Sequence, residues 1–273
     1  MNVLYFSDIH IEIRDSTSWT DTLPLGLGPD LTPFSGTADL VVLAGDIGRI
    51  RSRREVSTLT YARQVADYLS CEVAVVPGNH EYYRGSFDEV REFLLAESGA
   101  GVTVLDRGEA RYPCRNTELR LLGATLWTDY AVLDNAKQGM DEALRVLPDH
   151  RLISRGSGAF QPSDALAEHN TSRAWLMRRL AEPHAGPTLI ATHHVPHSLA
   201  RNPLHGTTSL SPAFYSDCDD LLVAAAQSGV VGWICGHHHW SHVVEVHGVL
   251  LVSAQPGYPG EQTGWQGPGL LGI

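Results

Sequence analysis

Five short stretches of this chain gather side chains that can bind a cation: Asp8-Ile9-His10, Gly45-Asp46, Gly78-Asn79-His80-Glu81, His193-His194 and Gly236-His237-His238-His239. Oxygen donors mixed with imidazole suit two first-row divalent or trivalent ions such as Mn, Fe, Zn or Co. Thiolates are missing from the set, which argues against a purely structural zinc site. In extended backbone, residues two apart point the same way. Asp8 and His10 can therefore face one site while Ile9 faces the core, and His237 and His239 can do the same while His238 turns aside. The glycine ahead of three clusters, at 45, 78 and 236, permits a sharp turn. A carboxylate bridging two such ions holds them roughly 3.5–4 Å apart, an arrangement that activates water against phosphorus.

These clusters need elements to position them. Each follows an apolar run of strand length: Asn2–Ser7, Asp39–Ala44, Glu72–Val76, Thr188–Thr192 and Val230–Cys235. Arg120–Thr125 and Val249–Ser253 read as two further strands, and most of the seven are apolar enough to be buried on both faces. Helix-like spacing covers Arg54–Leu69, Ser86–Ala96, Asp164–Leu180 and Ser216–Gln227, and more weakly Val132–Leu147. Ser86 and Ser216 stand in capping-box register at two of these starts. The stretches 15–37, 147–163 and 196–212 are irregular, and the Gly- and Pro-rich tail from Gln255 is expected to wrap the surface. Strands alternating with helices indicate α/β layering, with ligands at the carboxyl ends of the strands. No linker divides the chain, so residues 1–273 are expected to form a single domain.

Composition narrows the function. Of 273 residues, 31 are acidic and 20 basic, a formal charge of −11 that argues against tight generic nucleic-acid binding. The one basic run, Arg49 to Arg54, reads as a solvated helix start more readily than as a phosphate patch. Apolar runs fall far short of the roughly 20 residues that span a membrane. The first residues read as a core strand rather than a signal peptide, and the four scattered cysteines fit reduced thiols. A cytoplasmic location is the expectation.

Taken together and in order, Asp8-x-His10, Gly45-Asp46, Gly78-Asn79-His80-Glu81, His193 and Gly236-His237-x-His239 resemble the motifs of the calcineurin-like metallophosphoesterases. Any one block alone would more often be a turn, a cap or a satisfied polar residue; the five together make that reading improbable. The resemblance implies a sandwich of two mixed β-sheets flanked by helices. It implies two metal ions (Mn, Fe or Zn), one held by Asp8, His10 and His239, the other by Asn79, His193 and His237, with Asp46 bridging. His80 takes the place of the family's catalytic histidine, which stabilises phosphoryl oxygens or protonates the leaving group, and Glu81 is expected to orient it. The nucleophile would be a hydroxide between the metals. From the residues alone, either His193 or His194 could be the ligand; the resemblance points to His193, leaving His194 to touch phosphate or to pack.

Some relatives can be set aside. Pro77 stands where the family's protein phosphatases have arginine, and Arg49 stands where purple acid phosphatases have a ligand tyrosine. A small phosphomonoester or phosphodiester is the expected substrate, with Arg49 a candidate phosphate contact. The alternatives are a nuclease of the same superfamily and a catalytically idle scaffold, though every expected ligand position holds a competent residue. His197, Arg201 and His205 could reach substrate or lie in an ordinary loop. Trp127, Tyr130, Tyr82 and Tyr83 could wall the pocket or merely cover a sheet. His169 is expected to have no role.

Overall fold

The computed structural model describes residues 1–13, 28–50 and 58–273. The start of the expected Arg54–Leu69 helix, most of the irregular stretch 15–37 and residues 51–54 of the basic run lie outside the described residues. In chain order the strands are β1 (Asn2–Phe6), β2 (Leu40–Leu43), β3 (Glu72–Val75), β4 (Val102–Val104), β5 (Gly108–Cys114), β6 (Thr117–Ala124) and β7 (Ser154–Arg155). They continue with β8 (Gly158–Ala159), β9 (Thr188–Thr192), β10 (Val230–Ile234), β11 (His242–Val246), β12 (Val249–Ser253) and β13 (Gly269–Gly272). The α-helices are α1 (Thr58–Leu69), α2 (Phe87–Ala96), α3 (Ala136–Val146), α4 (Asp149–Leu152), α5 (Pro162–Leu180) and α6 (Asp219–Gln227).

One sheet runs β13-β1-β2-β3-β4, parallel except for β13 at its edge. The other runs β11-β12-β10-β9-β6-β5, with a parallel centre and antiparallel strands at both edges. Strand periodicity decides how the layers stack. Along β9, Leu189 and Ala191 pack into the core that holds the side chains of β1, β2 and β3, while Ile190 packs with Leu176 of α5 and Leu221 of α6. Leu121 and Leu122, Ile234 and Trp233, and Val252 and Leu251 divide in the same way. The second sheet therefore presents one face to the first sheet and the other to helices, while α1 lies against β3 and β4. Burying each such Leu or Ile contributes roughly 1.5–3 kcal/mol. The result is two mixed β-sheets flanked by helices, as the sequence led us to expect.

All seven expected strands are present, within a residue or a few at their ends. The tail differs from expectation: it does not simply wrap the surface, because β13 pairs with β1 and the Met1 amine donates to the Ile273 carbonyl at 2.8 Å. Two caps also differ. Ser86 is the N-cap of α2 but makes no side-chain cap bond. Ser216 lies outside α6, which starts at Asp219; its hydroxyl accepts the Asp129 N–H at 3.0 Å instead. A capping box does form at α5, between Gln161 and Asp164.

Candidate metal centre

The segments after β1, β2, β3, β9 and β10 meet where the two sheets come together. Parallel pairing continues past the strands: Asp8 N–H donates to Gly45 O at 3.0 Å, His10 N–H to Asp46 O at 3.1 Å, and Gly236 N–H to His193 O at 2.9 Å. Ser7 N–H donates to Ala254 O at 3.1 Å, tying β1 to the segment after β12. The local backbone is not the extended chain the spacing suggested. Asp8 (φ 54°), His10 (47°), Asp46 (53°), His237 (70°) and His239 (45°) all lie in the left-handed region. Such positions cost about 1–2 kcal/mol each in an L-residue and cluster at functional sites. Asp8 and His10 do reach a common site, but through successive left-handed kinks. Of the glycines, Gly45 has φ 89°, whereas Gly78 and Gly236 are there for close approach. A Cβ on Gly78 would sit 2.2 Å from Asp46 Oδ1, and one on Gly236 would sit 2.6 Å from Asp8 Oδ2.

Asp46 is the hub. Its Oδ1 accepts the His80 N–H at 2.9 Å and lies 3.4 Å from His193 Nε2; its Oδ2 lies 4.0 Å from His10 Nε2 and 3.8 Å from His80 Nε2. On one side, His10 Nε2 faces His239 Nε2 at 3.0 Å, and His239 Nε2 lies 3.5 Å from Asp8 Oδ1. On the other, His193 Nε2 lies 3.0 Å from Asn79 Oδ1 and 3.2 Å from His237 Nδ1. The structure thus brings together all seven expected ligand residues and His80.

These donors fit cations. Imidazole nitrogens face one another at hydrogen-bond distance in a buried cluster, and His237 Nε2 has no partner. His193 Nδ1–H donates to the Ala44 carbonyl at 2.8 Å, which leaves the Nε2 lone pair facing the cluster. The field agrees. Burial would push the Asp46 carboxyl up, but His193, His80 and His10 around it hold it well below the usual range. His193, which burial alone would push down, is raised to about 9 by Asp46. Asp8, His10 and His239 form one potential donor group, and Asp8, Asp46 and His193 another. His194 is buried behind them: its Nδ1 lies 3.3 Å from the Thr125 carbonyl and its ring 4.0 Å from that of His237. It shares a further donor group with His193 and His237.

The surroundings depart from expectation in one role. Glu81 does not touch His80. Its carboxylate instead accepts N–H bonds from Asp46 (3.0 Å), Ile47 (2.9 Å), Gly48 (3.2 Å) and Gly78 (2.6 Å), and a hydroxyl bond from Thr58 (2.8 Å). It locks the loops after β2 and β3 to each other. The partner of His80 is Glu12, whose Oε1 lies 2.8 Å from His80 Nδ1, while Tyr258 Oη lies 3.1 Å from His80 Nε2. Burial pushes the Glu12 carboxyl up, but the nearby His10 imidazole, 3.7 Å away, and the hydrogen bond from His80 outweigh it and bring it down to about 2. Sequence reasoning also missed Asp149, which accepts from Asn79 Nδ2 at 2.8 Å, and Glu261, which meets His239. Glu12 had a signal: Asp8, His10 and Glu12 form an every-second-residue series. Asp149, Tyr258 and Glu261 come from stretches without a readable pattern in the sequence and carried none.

A cleft of about 420 Å³ opens over Asp46, Asn79, His80 and His239, with Pro148 and Phe214 also in its walls. Tyr83 and His205 line it; Arg49, Arg201, His197, Tyr82, Trp127 and Tyr130 do not. Tyr82 stacks on Phe87, and Trp127 packs at a tilt against Phe87 and Phe160, in the interior, and His197 pairs with Asp219 away from the cleft. No lysine or arginine lines the cleft among the described residues.

A family model described as calcineurin-like phosphoesterase matches residues 1–241. An uncharacterised protein of Acanthamoeba polyphaga mimivirus is 20% identical over 274 residues, covering 94% of this chain and 91% of that protein. The phosphopantetheinyl hydrolase of Mycobacterium tuberculosis superposes with a TM-score of 0.65 at 18% identity, over 94% of this chain and 90% of that one. A Staphylococcus aureus protein assigned as a 5′-nucleotidase gives 0.54 at 15% identity, over 93% of this chain but 49% of its own. At these identities the two structures speak for the fold.

Proposed function

The chain belongs to the calcineurin-like phosphoesterase family, and on that premise we propose that it hydrolyses a small phosphomonoester or phosphodiester at a centre of two divalent cations. The observation that carries this reading is the double ring of donors about Asp46: Asp8, His10 and His239 on one side, Asn79, His193 and His237 on the other. We assign the first three residues to one ion, the second three to the other, and Asp46 to both. His193 rather than His194 takes the ligand role, because it touches both Asp46 and Asn79. When bound, such cations lower the pKa of water toward neutrality and neutralise charge on the phosphoryl group.

The chain's own residues do the rest. Glu12 accepts the Nδ1 proton of His80, so Nε2 is left facing Tyr258 at the cleft, placed to hold a proton for the departing oxygen. Asp149 and Tyr83 accept from the Asn79 amide nitrogen, which turns its Oδ1 toward His193. The cleft, without lysine or arginine among its described lining, suits a compact ester with a neutral organic arm rather than a polyanionic strand. This supports the small-molecule reading over the nuclease.

The test is hydrolysis of p-nitrophenyl phosphate and bis-p-nitrophenyl phosphate by metal-stripped protein reloaded with Mn²⁺. Asp46→Asn is expected to lose turnover together with bound metal. His80→Ala should keep the metal and lose about 10²–10⁴-fold in turnover on whichever substrate is cleaved. A wild-type chain that binds no metal sinks the reading.

A further inference from the structure

The family model ends at residue 241, yet the segment between β12 and β13 returns to the centre. Ser241 N–H donates to the Thr263 carbonyl at 2.7 Å and Gln255 N–H to Ser241 Oγ at 2.9 Å, which fastens this strap beside the histidine cluster. From it, Glu261 Oε2 lies 2.5 Å from His239 Nδ1 and accepts the Tyr258 N–H at 2.8 Å. The Tyr258 ring lies 4.7 Å from the His239 ring, edge to face. At Gly257 (φ 66°) the backbone approaches so closely that a Cβ would stand 2.5 Å from Glu261 Oε2 and 3.1 Å from His239 Cγ. Any side chain there would push the carboxylate off the imidazole.

We propose that Glu261 is a positioning residue of the metal centre, holding His239 so that its Nε2 lone pair faces Asp8 and His10, and that the strap beyond the matched region completes one cation site and not the other. The inference rests on the two-cation reading above. A carboxylate behind a ligating imidazole keeps the proton on the nitrogen it faces, fixes the ring and makes the free nitrogen a better donor. His239 needs such support: it sits on a left-handed residue, and its side chain is 12% exposed at the cleft edge. On the other side, His193 is backed by the neutral Ala44 carbonyl and the carboxylate of Asp149 backs the Asn79 amide rather than an imidazole, so the two sites are supported differently.

The experiment is calorimetric titration of metal-stripped wild type, Glu261→Gln, Glu261→Asp and Gly257→Ala with Mn²⁺, with thermal unfolding of each metal-free protein alongside. One of two binding steps should weaken about 10–100-fold in Glu261→Gln. Gly257→Ala, which keeps the carboxylate but displaces it, should weaken the same step, and Glu261→Asp should recover part of the loss. The second step and the metal-free unfolding temperature of the Glu261 variants should stay put. Two unchanged steps, or both weakened together with a falling metal-free unfolding temperature, overturn the positioning role while leaving the two-cation reading intact. A wild type that binds fewer than two ions overturns that reading, and the proposal with it.

Discussion

Glu81 concentrates more backbone hydrogen bonds on one side chain than any residue expected to do chemistry here. Four N–H groups and one hydroxyl converge on its buried carboxylate. Burial, and after it the charge of Asp46, push its pKa up to about 7, so the group is held where an isolated carboxyl would prefer its proton. Glu81→Gln puts an amide nitrogen against N–H donors that need an acceptor. We expect it to destabilise the metal-free protein by roughly 2–4 kcal/mol, read as a lower denaturant midpoint, and to weaken metal binding through the displaced Asp46 loop. A midpoint within error of wild type would show that the convergence of donors contributes little. The residue also shows what a sequence can and cannot convey. That Asp8, His10, Asp46, Asn79, His193, His237 and His239 would converge was legible because their types and order are distinctive. Glu81 was read as the partner of His80 because it adjoins it, but adjacency in a turn does not imply contact. Glu12, 68 residues away, makes that contact.

Among the elements, legibility followed burial. β1, β2, β3, β9 and β10 are nearly all buried and read as continuous apolar runs. β11 and β13 alternate half-buried and exposed positions at sheet edges, and β4 is three residues long, so none stood out. The longest helix, α5, shows a different gap. Its His169 had no expected role, and it is 1% exposed with Nδ1 lying 3.4 Å from the Trp127 carbonyl. Burial lowers its pKa from 6.5, more than Asp129 and the Trp127 carbonyl raise it. The unfolded chain therefore takes up this proton first as the pH falls. Stability is lost from about pH 6.5 downward, with a slope of up to about 1.4 kcal/mol per pH unit until the folded value is reached. His169→Gln should flatten that acid limb in a series of unfolding midpoints between pH 7 and 5. Parallel limbs for the two proteins would assign the acid sensitivity to other groups.

For the molecule as a whole, the centre lies on the seam between two sheets. Asp8, His10, Asp46 and Asn79 follow strands of one sheet, and His193, His237 and His239 follow strands of the other. Bound cations would therefore staple the layers together. Metal at 100 times its dissociation constant should stabilise the fold by about 2.7 kcal/mol, raising the unfolding temperature reversibly with Mn²⁺ and lowering it with a chelator. Asp46→Asn should respond to neither, and equal chelator sensitivity in both proteins would place the metal elsewhere. The same seam sets an order of events. Asp8 accepts from the N–H of His237, 229 residues away along the chain, and closing so long a loop is an entropic step that only the docked sheets offset. Before docking, the chain offers a metal nothing better than local pairs such as Asp8 with His10 or His237 with His239. An ion held by both sets of residues would then bind after the sheets dock, and the choice among competing metals would fall to a folded cavity rather than to a flexible chain that would take the most avid ion it met.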